Sequence, residues 1–315
     1  MTAPSASIID GRALAEKFRA RFAEQIREIS RRGGHAALDA VLVDEAPANA
    51  PPPDASGAAK PAAGWGASAS AARVYAENQR KTCAELGIDY RLHTLPHHAT
   101  FEDIAGRILL LSSDPSVSAI MLHLPVPAGV DPFRLQSLIA AEKDVEGVNP
   151  VNIGNIVYGR SSLVPCTALA VMKMVESTGV TLPGSHAVCL GSSDLVGKPI
   201  AVLMMRARAT VTTCNSKTRD LPGVARSADV LIAAVGKAGL VTADMVKPGA
   251  IVIDVGVNRV TDPRTGKKVT VGDVDFEQVR HVAGALSPVP GGVGPVTVAM
   301  LLQNTVDAAA RRWAS

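Results

Sequence analysis

Apolar positions along the chain follow two alternating patterns, a stripe recurring every three or four residues and a short unbroken run. Leu14, Phe18, Phe22, Ile26 and Ile29 form such a stripe, which predicts a helix capped by Asp10 and ended at Gly33-Gly34. Residues 36–43 are apolar except for Asp39, the pattern of a mostly buried strand. From Arg73 a helix is predicted to carry Tyr75, Gln79 and Lys81 to a stop at Gly87. A strand over 90–95, a helix over 101–111 and a strand over 118–124 follow, the last running into Pro125-Val126-Pro127. A second series begins near Pro165. Thr167 is placed to cap a helix over 168–177; strands are predicted over 186–190, 210–213, 230–234 and 251–255, and a helix over 198–206. Strand–helix alternation implies parallel sheets, and the second series has the doubly wound nucleotide-binding pattern. The predicted fold is therefore α/β with two domains: an N-terminal parallel α/β domain over 1–150 and a C-terminal Rossmann-type doubly wound domain over 151–295. The last helix, over 296–315, can fold back on either domain and is assigned to the first. Near 45–70 the composition shifts to Ala, Pro, Gly and Ser, which predicts a mobile insertion with no core.

Bulk properties narrow the class of ligand. A chain of 315 residues has room for two cores, and a net charge of +3 with no basic block points away from nucleic acid and toward a small molecule. Cys83, Cys166, Cys189 and Cys214 form no Cys-x-x-Cys pair, which fits a reducing compartment better than disulfides or zinc. His97-His98 has no third ligand nearby in sequence, so no metal site is expected. The N-terminus has no basic stretch leading into an apolar core, and no apolar run approaches ~20 residues. A cytoplasmic location away from membranes is expected.

Two segments carry candidate chemistry. Six of the ten residues from Pro288 to Thr297 are glycine or proline, a loop that lets backbone approach a ligand closely; Pro290, Gly291 and Gly292 are the candidate contacts. Thr297 reads as the N-cap that aims the following helix at that ligand. The second segment, Gly191-Ser192-Ser193-Asp194-Leu195-Val196-Gly197, joins a strand to a helix, where backbone amides could hold a pyrophosphate. Roughly 20 positions on, where an NAD site carries a carboxylate, the chain has Ser216, Lys217 and Arg219. These could meet a 2′-phosphate, favouring NADP with NAD as the alternative, and they read equally as a solvated turn.

With these segments in view, the chain resembles the methylenetetrahydrofolate dehydrogenase/cyclohydrolase family over nearly its whole length apart from the insertion. The matching motifs are Tyr75 on its helix, Leu124-Pro125-Val126-Pro127, Lys143-Asp144-Val145-Glu146-Gly147, Pro165-Cys166-Thr167, Gly191 to Pro199, Asp254 to Arg259 and Pro288 to Thr297. The resemblance implies a folate-side domain, a Rossmann domain, a cleft between them and a homodimer. It also implies hydride transfer from 5,10-methylenetetrahydrofolate to NADP, followed in bifunctional members by hydrolysis of the methenyl product to 10-formyltetrahydrofolate. Tyr75, Gln79, His123 and Glu146 then fall at catalytic positions. Asp144 is either structural or pterin-facing and is carried as a substrate contact. Cys166, otherwise a small buried residue, is counted with Gly191, Ser192, Ser193, Val196 and Gly197 on the cofactor side.

Four positions depart from the family pattern. Gln79 replaces the lysine of Tyr-x-x-x-Lys, His123 replaces the Gln before Leu-Pro, Glu146 replaces the second Asp of Lys-Asp-Val-Asp-Gly, and Ser192 replaces the Arg of Gly-Arg-Ser. Gln79 shares a helical face with Tyr75, whereas Lys81 lies about 200° round the axis from Gln79 and cannot substitute. A carboxamide hydrogen-bonds but exchanges no proton near neutral pH. Oxidation needs positioning, whereas hydration needs a group to accept a proton, so the cyclohydrolase step is expected to be reduced or absent. His123 as a replacement base, transfer of the one-carbon unit to an amine, and a catalytically silent cofactor-binding protein are the competing readings.

Overall fold

A computed structural model describes residues 5–44, 69–160, 163–262 and 265–313. The segment 45–68, most of the expected insertion, lies outside the described residues. Eleven strands occur among them: β1 (Ser7–Ile8), β2 (Ala37–Val43), β3 (Asp89–Leu95), β4 (Ala119–Leu122), β5 (His186–Leu190), β6 (Thr210–Cys214), β7 (Val230–Ala233), β8 (Ile251–Asp254), β9 (Asn258–Thr261), β10 (Lys268–Val271) and β11 (Ala285–Leu286). The helices are α1 (Gly11–Arg31), α2 (Ala69–Leu86), α3 (Phe101–Ser113), α4 (Pro132–Gln136), α5 (Pro150–Tyr158), α6 (Cys166–Ser177), α7 (Gly197–Arg206), α8 (Leu221–Arg226), α9 (Phe276–Val279) and α10 (Val293–Trp313).

The described residues form two compact units. One comprises Arg19–Asn155, Ser161–Val164 and Leu301–Ser315, and the other Met1–Phe18, Ile156–Arg160 and Pro165–Met300. This division does not follow a single cut near 150, because β1 pairs with β11 and so draws the start of the chain into the second unit.

The first unit contains a parallel sheet of order β3-β2-β4. All seven residues of β2 are buried, as a central strand covered on both faces requires. Val41, Ile104, Ile108, Ile120, Leu122 and Leu135 build the core on one side. Asp39, the polar break in β2, is 1% exposed and is paired with Arg91 and His93 of β3, each at 2.8 Å. Lys143 donates to the carbonyls of Ser112 and Asp114, both at 2.7 Å, and so caps the C-terminus of α3.

In the second unit the sheet order is β1-β11-β8-β7-β5-β6, parallel throughout, around Val188, Leu231, Val252 and Leu286. A hairpin of β9 and β10 stands apart from it.

Two caps differ from their sequence reading. Helix α6 starts at Cys166 behind Pro165, with no side-chain cap, so Thr167 lies inside its first turn. Helix α10 starts at Val293, because Pro295 fits a first turn whose amides lack helical partners anyway. Thr297 therefore sits one turn in, its hydroxyl donating to the Val293 carbonyl at 3.1 Å, and is not the N-cap. No helix of the described residues is long and apolar enough to cross a membrane.

Candidate functional site

In the first unit, Tyr75, Gln79 and Cys83 follow one another at i, i+4 and i+8 on a single face of α2. Tyr75, 39% exposed, sets its ring edge-on to His123 with centroids 5.9 Å apart. His123 follows β4, where its amide donates to the Val41 carbonyl at 2.8 Å, and it is buried. Its Nε2 lies 3.1 Å from the hydroxyl of Tyr90 on β3. Burial pushes the imidazole down to about 4, so the ring is neutral at physiological pH. Gln79 is 3% exposed, and neither atom of its carboxamide has a hydrogen-bond partner among the described residues. A buried amide left in this way costs about 1–3 kcal/mol, which a ligand offering both a donor and an acceptor would recover.

Glu146 is half-buried, with Oε2 shut off from solvent and without a partner among the described residues. Burial, with the Asp144 charge second, pushes its carboxyl up to about 8, and the Leu122 amide opposes the rise only in part. Glu146 is thus mostly protonated at pH 7. Because the native state resists ionising it, stability should fall as pH rises from the usual 4.5 to about 8. Glu146→Gln should flatten this decline by about 2–4 kcal/mol. Urea melts of both proteins at pH 5 and pH 8.5 check it; parallel declines would show that Glu146 ionises freely.

Asp144 is fully buried and its Oδ2 accepts from the Asn149 amide at 2.7 Å and the Asn152 side chain at 3.0 Å. Burial raises its pKa despite these bonds. Its Oδ1 is buried and has no hydrogen-bond partner among the described residues. Asn304 of α10 donates to the Val145 carbonyl at 2.8 Å and braces the same segment.

In the second unit, β5 runs into Gly191, whose φ of +105° and surroundings demand glycine: a Cβ there would lie 2.1 Å from the Ala234 carbonyl oxygen. A Cβ on Gly197 would lie 2.2 Å from the Gly191 carbonyl. The helix-start amides expected to face a pyrophosphate are engaged by Ser193, Gly197 with its hydroxyl at 3.3 Å and Lys198 with its carbonyl at 3.0 Å. Val196 takes the N-cap position without a side-chain cap, and Ser192 continues the turn. The two glycines therefore secure a tightly closed turn. Beyond β6, Ser216, Lys217 and Arg219 are exposed on a turn that Asn215 closes by accepting from the Lys217 amide at 2.9 Å. Lys217 and Arg219 form no ion pair among the described residues, which leaves both cations available to an anion, whereas Lys198 is paired with Asp194. Cys166 opens α6 and is buried.

The glycine–proline loop has a cis Val289-Pro290 bond and Gly291 at φ +104°. Gly292 is packed so closely that a Cβ would lie 2.4 Å from the Pro288 carbonyl. Two buried carboxylates fix neighbouring turns. Asp273 accepts from the amides of Val235 (2.7 Å), Gly236 (3.0 Å) and Lys237 (2.8 Å) and from the Asn258 side chain (2.9 Å). Asp254, pushed up to about 6 by burial, accepts from the amides of Gly256, Asp273 and Val274. Sequence reasoning missed Tyr90, Asp273 and Asn304. Only Tyr90 left a trace, since strand alternation puts residue 90 on a face opposite its neighbours Asp89 and Arg91.

Comparison with known proteins finds two matching family regions: tetrahydrofolate dehydrogenase/cyclohydrolase, NAD(P)-binding domain, over residues 165–313, and the catalytic domain of the same family over residues 65–146. Bifunctional protein FolD 1 of Rubrobacter xylanophilus is 43% identical over 307 residues, 98% of each chain. The crystal structure of the bifunctional FolD methylenetetrahydrofolate dehydrogenase/cyclohydrolase of Campylobacter jejuni superposes with a TM-score of 0.85 at 36% identity, over 98% of this chain and all of the other. A Trypanosoma brucei methylenetetrahydrofolate dehydrogenase-cyclohydrolase, solved with NADP and an inhibitor, gives 0.84 at 34% identity over 98% of each chain.

Proposed function

Because the chain belongs to the tetrahydrofolate dehydrogenase/cyclohydrolase family, we propose that it oxidises 5,10-methylenetetrahydrofolate with NADP and hydrolyses the methenyl product slowly or not at all. One observation carries the second half: Gln79, where the family motif has lysine, is a buried carboxamide with no partner among the described residues. It can orient a substrate but cannot take a proton from water.

The residues divide the work. Tyr75 shapes the folate pocket, Gln79 and His123 meet the reacting region, and Glu146 hydrogen-bonds the pterin. Pro290, Gly291, Gly292 and Thr297 lie against the substrate from their own loop and helix. Gly191, Ser192, Ser193, Val196 and Gly197 form the turn for the dinucleotide, and its fit is supported by two positions where a Cβ would collide with backbone. Ser216, Lys217 and Arg219 take the 2′-phosphate; this supports NADP over NAD, although Ser192 contributes no cation. NADP, when bound, supplies the hydride acceptor. The protein's own contribution to that step is alignment, with no obligatory proton transfer. We place the reaction in the cytoplasm, carried out by a homodimer.

A second reading, retained hydrolysis, is favoured by Glu146, whose carboxyl titrates at about 8, close to working pH and within the range of an effective acid–base group. The Rubrobacter relative is itself named bifunctional.

The test follows reduced nicotinamide and methenyl-folate by absorbance in one reaction with methylenetetrahydrofolate and NADP. Methenyl-folate should accumulate nearly one for one with NADPH. Formyl-folate appearing as fast as NADPH would establish the second reading, and turnover only with an added amine would indicate a transferase.

A further inference from the structure

We propose that Tyr90 is a positioning residue for His123: its phenol donates to Nε2 and holds the imidazole as the Nδ1–H tautomer, so the ring meets the substrate as a neutral donor and not as a base. This deepens the reading above and rests on it for the identity of the substrate.

The geometry comes from strand register. Leu38 of β2 pairs with Tyr90 on one side, and Val41 pairs with Leu122 on the other, placing His123 one residue beyond that pairing. Tyr90 is thus four positions short of His123 along the strand direction, and its side chain makes up the offset, with the oxygen 3.1 Å from Nε2. One hydrogen is left over in either direction of the bond, and the proposed direction leaves it on Nδ1, which is not shut off from solvent, instead of on the phenol. The Tyr90 hydroxyl has one hydrogen, and Nε2 is its acceptor among the described residues. Were Nε2 to carry a hydrogen instead, two donors would face each other or the phenol hydrogen would be left without an acceptor in a half-buried site. Tyr90 does not give up that hydrogen, because burial raises its pKa further above an already high value. The ring is also held from the side by Tyr75, edge-on at 5.9 Å. Nδ1 makes no hydrogen bond among the described residues, so it is the nitrogen left for a ligand.

Tyr90 thereby occupies the ring nitrogen through which His123 could have taken a proton, and it turns the other into a donor. A glutamine at 123, as in the family motif, would offer both a donor and an acceptor. With Tyr90 in place, His123 offers a donor alone, and acceptors must come from other side chains, such as the Gln79 carbonyl, which is buried and has no partner among the described residues.

The experiment is long-range proton–nitrogen correlation NMR on protein labelled in its histidine rings, at neutral pH, with His123→Gln used to assign the signal. In the wild type, Nε2 should resonate as an unprotonated acceptor and Nδ1 as a protonated nitrogen. In Tyr90→Phe the pattern should shift toward the Nε2–H tautomer. The KM for methylenetetrahydrofolate should rise by about fivefold in that variant, with kcat changing less. A wild-type ring that is protonated on Nε2, or charged, at neutral pH would overturn the proposal even if Tyr90→Phe failed to fold. A spectrum unchanged by Tyr90→Phe would overturn it too. The spectra bear on the tautomer alone, so a protein that showed it but did not oxidise folate would refute the functional reading and leave the positioning role standing.

Discussion

Replacing Gln79 with lysine should raise the rate of methenyl-folate hydrolysis by about 10²–10⁴-fold, the usual contribution of a positioned acid–base group. The position suits such a group. It is 3% exposed, so desolvation would lower an ammonium's pKa from its ordinary value toward neutrality, where it could exchange a proton with water attacking the methenyl carbon. His123 does not provide this in the wild type, since Tyr90 occupies its Nε2 and burial pushes the imidazole down to about 4. Gln79→Met, which has similar reach and no ionisable group, should give no gain, so any rise with lysine would be due to its proton chemistry. Stopped-flow decay of methenyl-folate absorbance without nicotinamide measures the step directly. If lysine gave no increase, the slow step would lie elsewhere and the explanation for weak hydrolysis would be wrong.

The second large effect belongs to the cofactor turn. Gly191→Ala should weaken NADP binding by at least about a hundredfold, equivalent to ~3 kcal/mol. Two causes combine. Positive φ costs a non-glycine residue roughly 1–2 kcal/mol, and the new methyl would lie 2.1 Å from the Ala234 carbonyl oxygen, so β5 and the loop after β7 would have to separate. Gly236 separates these contributions. Its φ is +66° and a Cβ there has nothing within 4 Å, so Gly236→Ala bears the backbone strain alone and should cost about 1 kcal/mol. Fluorescence titration with NADP and thermal melts of both variants would show the contrast; equal losses would mean that the close approach at Gly191 is unimportant.

The sequence made some of this legible and hid the rest for physical reasons. Long periodic segments such as α1, with Asp10 accepting from the Arg12 and Ala13 amides and Gly33 at φ +78°, are specified locally and were readable from the stripe of apolar residues. Gln79 was readable because i, i+4 spacing on a helix needs no tertiary knowledge. Strands β1 and β11 are two residues each and exist because they pair across most of the chain's length, which leaves no periodic trace. Helix α10 starts at Val293, ahead of the Thr297 expected to cap it, because a first turn accepts Pro295. Tyr90 and His123 are 33 residues apart and meet only through the register of three strands. Asp273 carries no signal at all, since a lone acid in a loop reads as solvated until the amides of 235–237 are seen to converge on it.

That convergence also governs how a dinucleotide is received. Asp273 holds residues 235–237, which directly follow the Ala234 carbonyl against which Gly191 is packed. The wall behind the turn is thus shaped by the protein's internal acids, and NADP would settle onto backbone already frozen in place. Little of its affinity need be spent on ordering the chain around it.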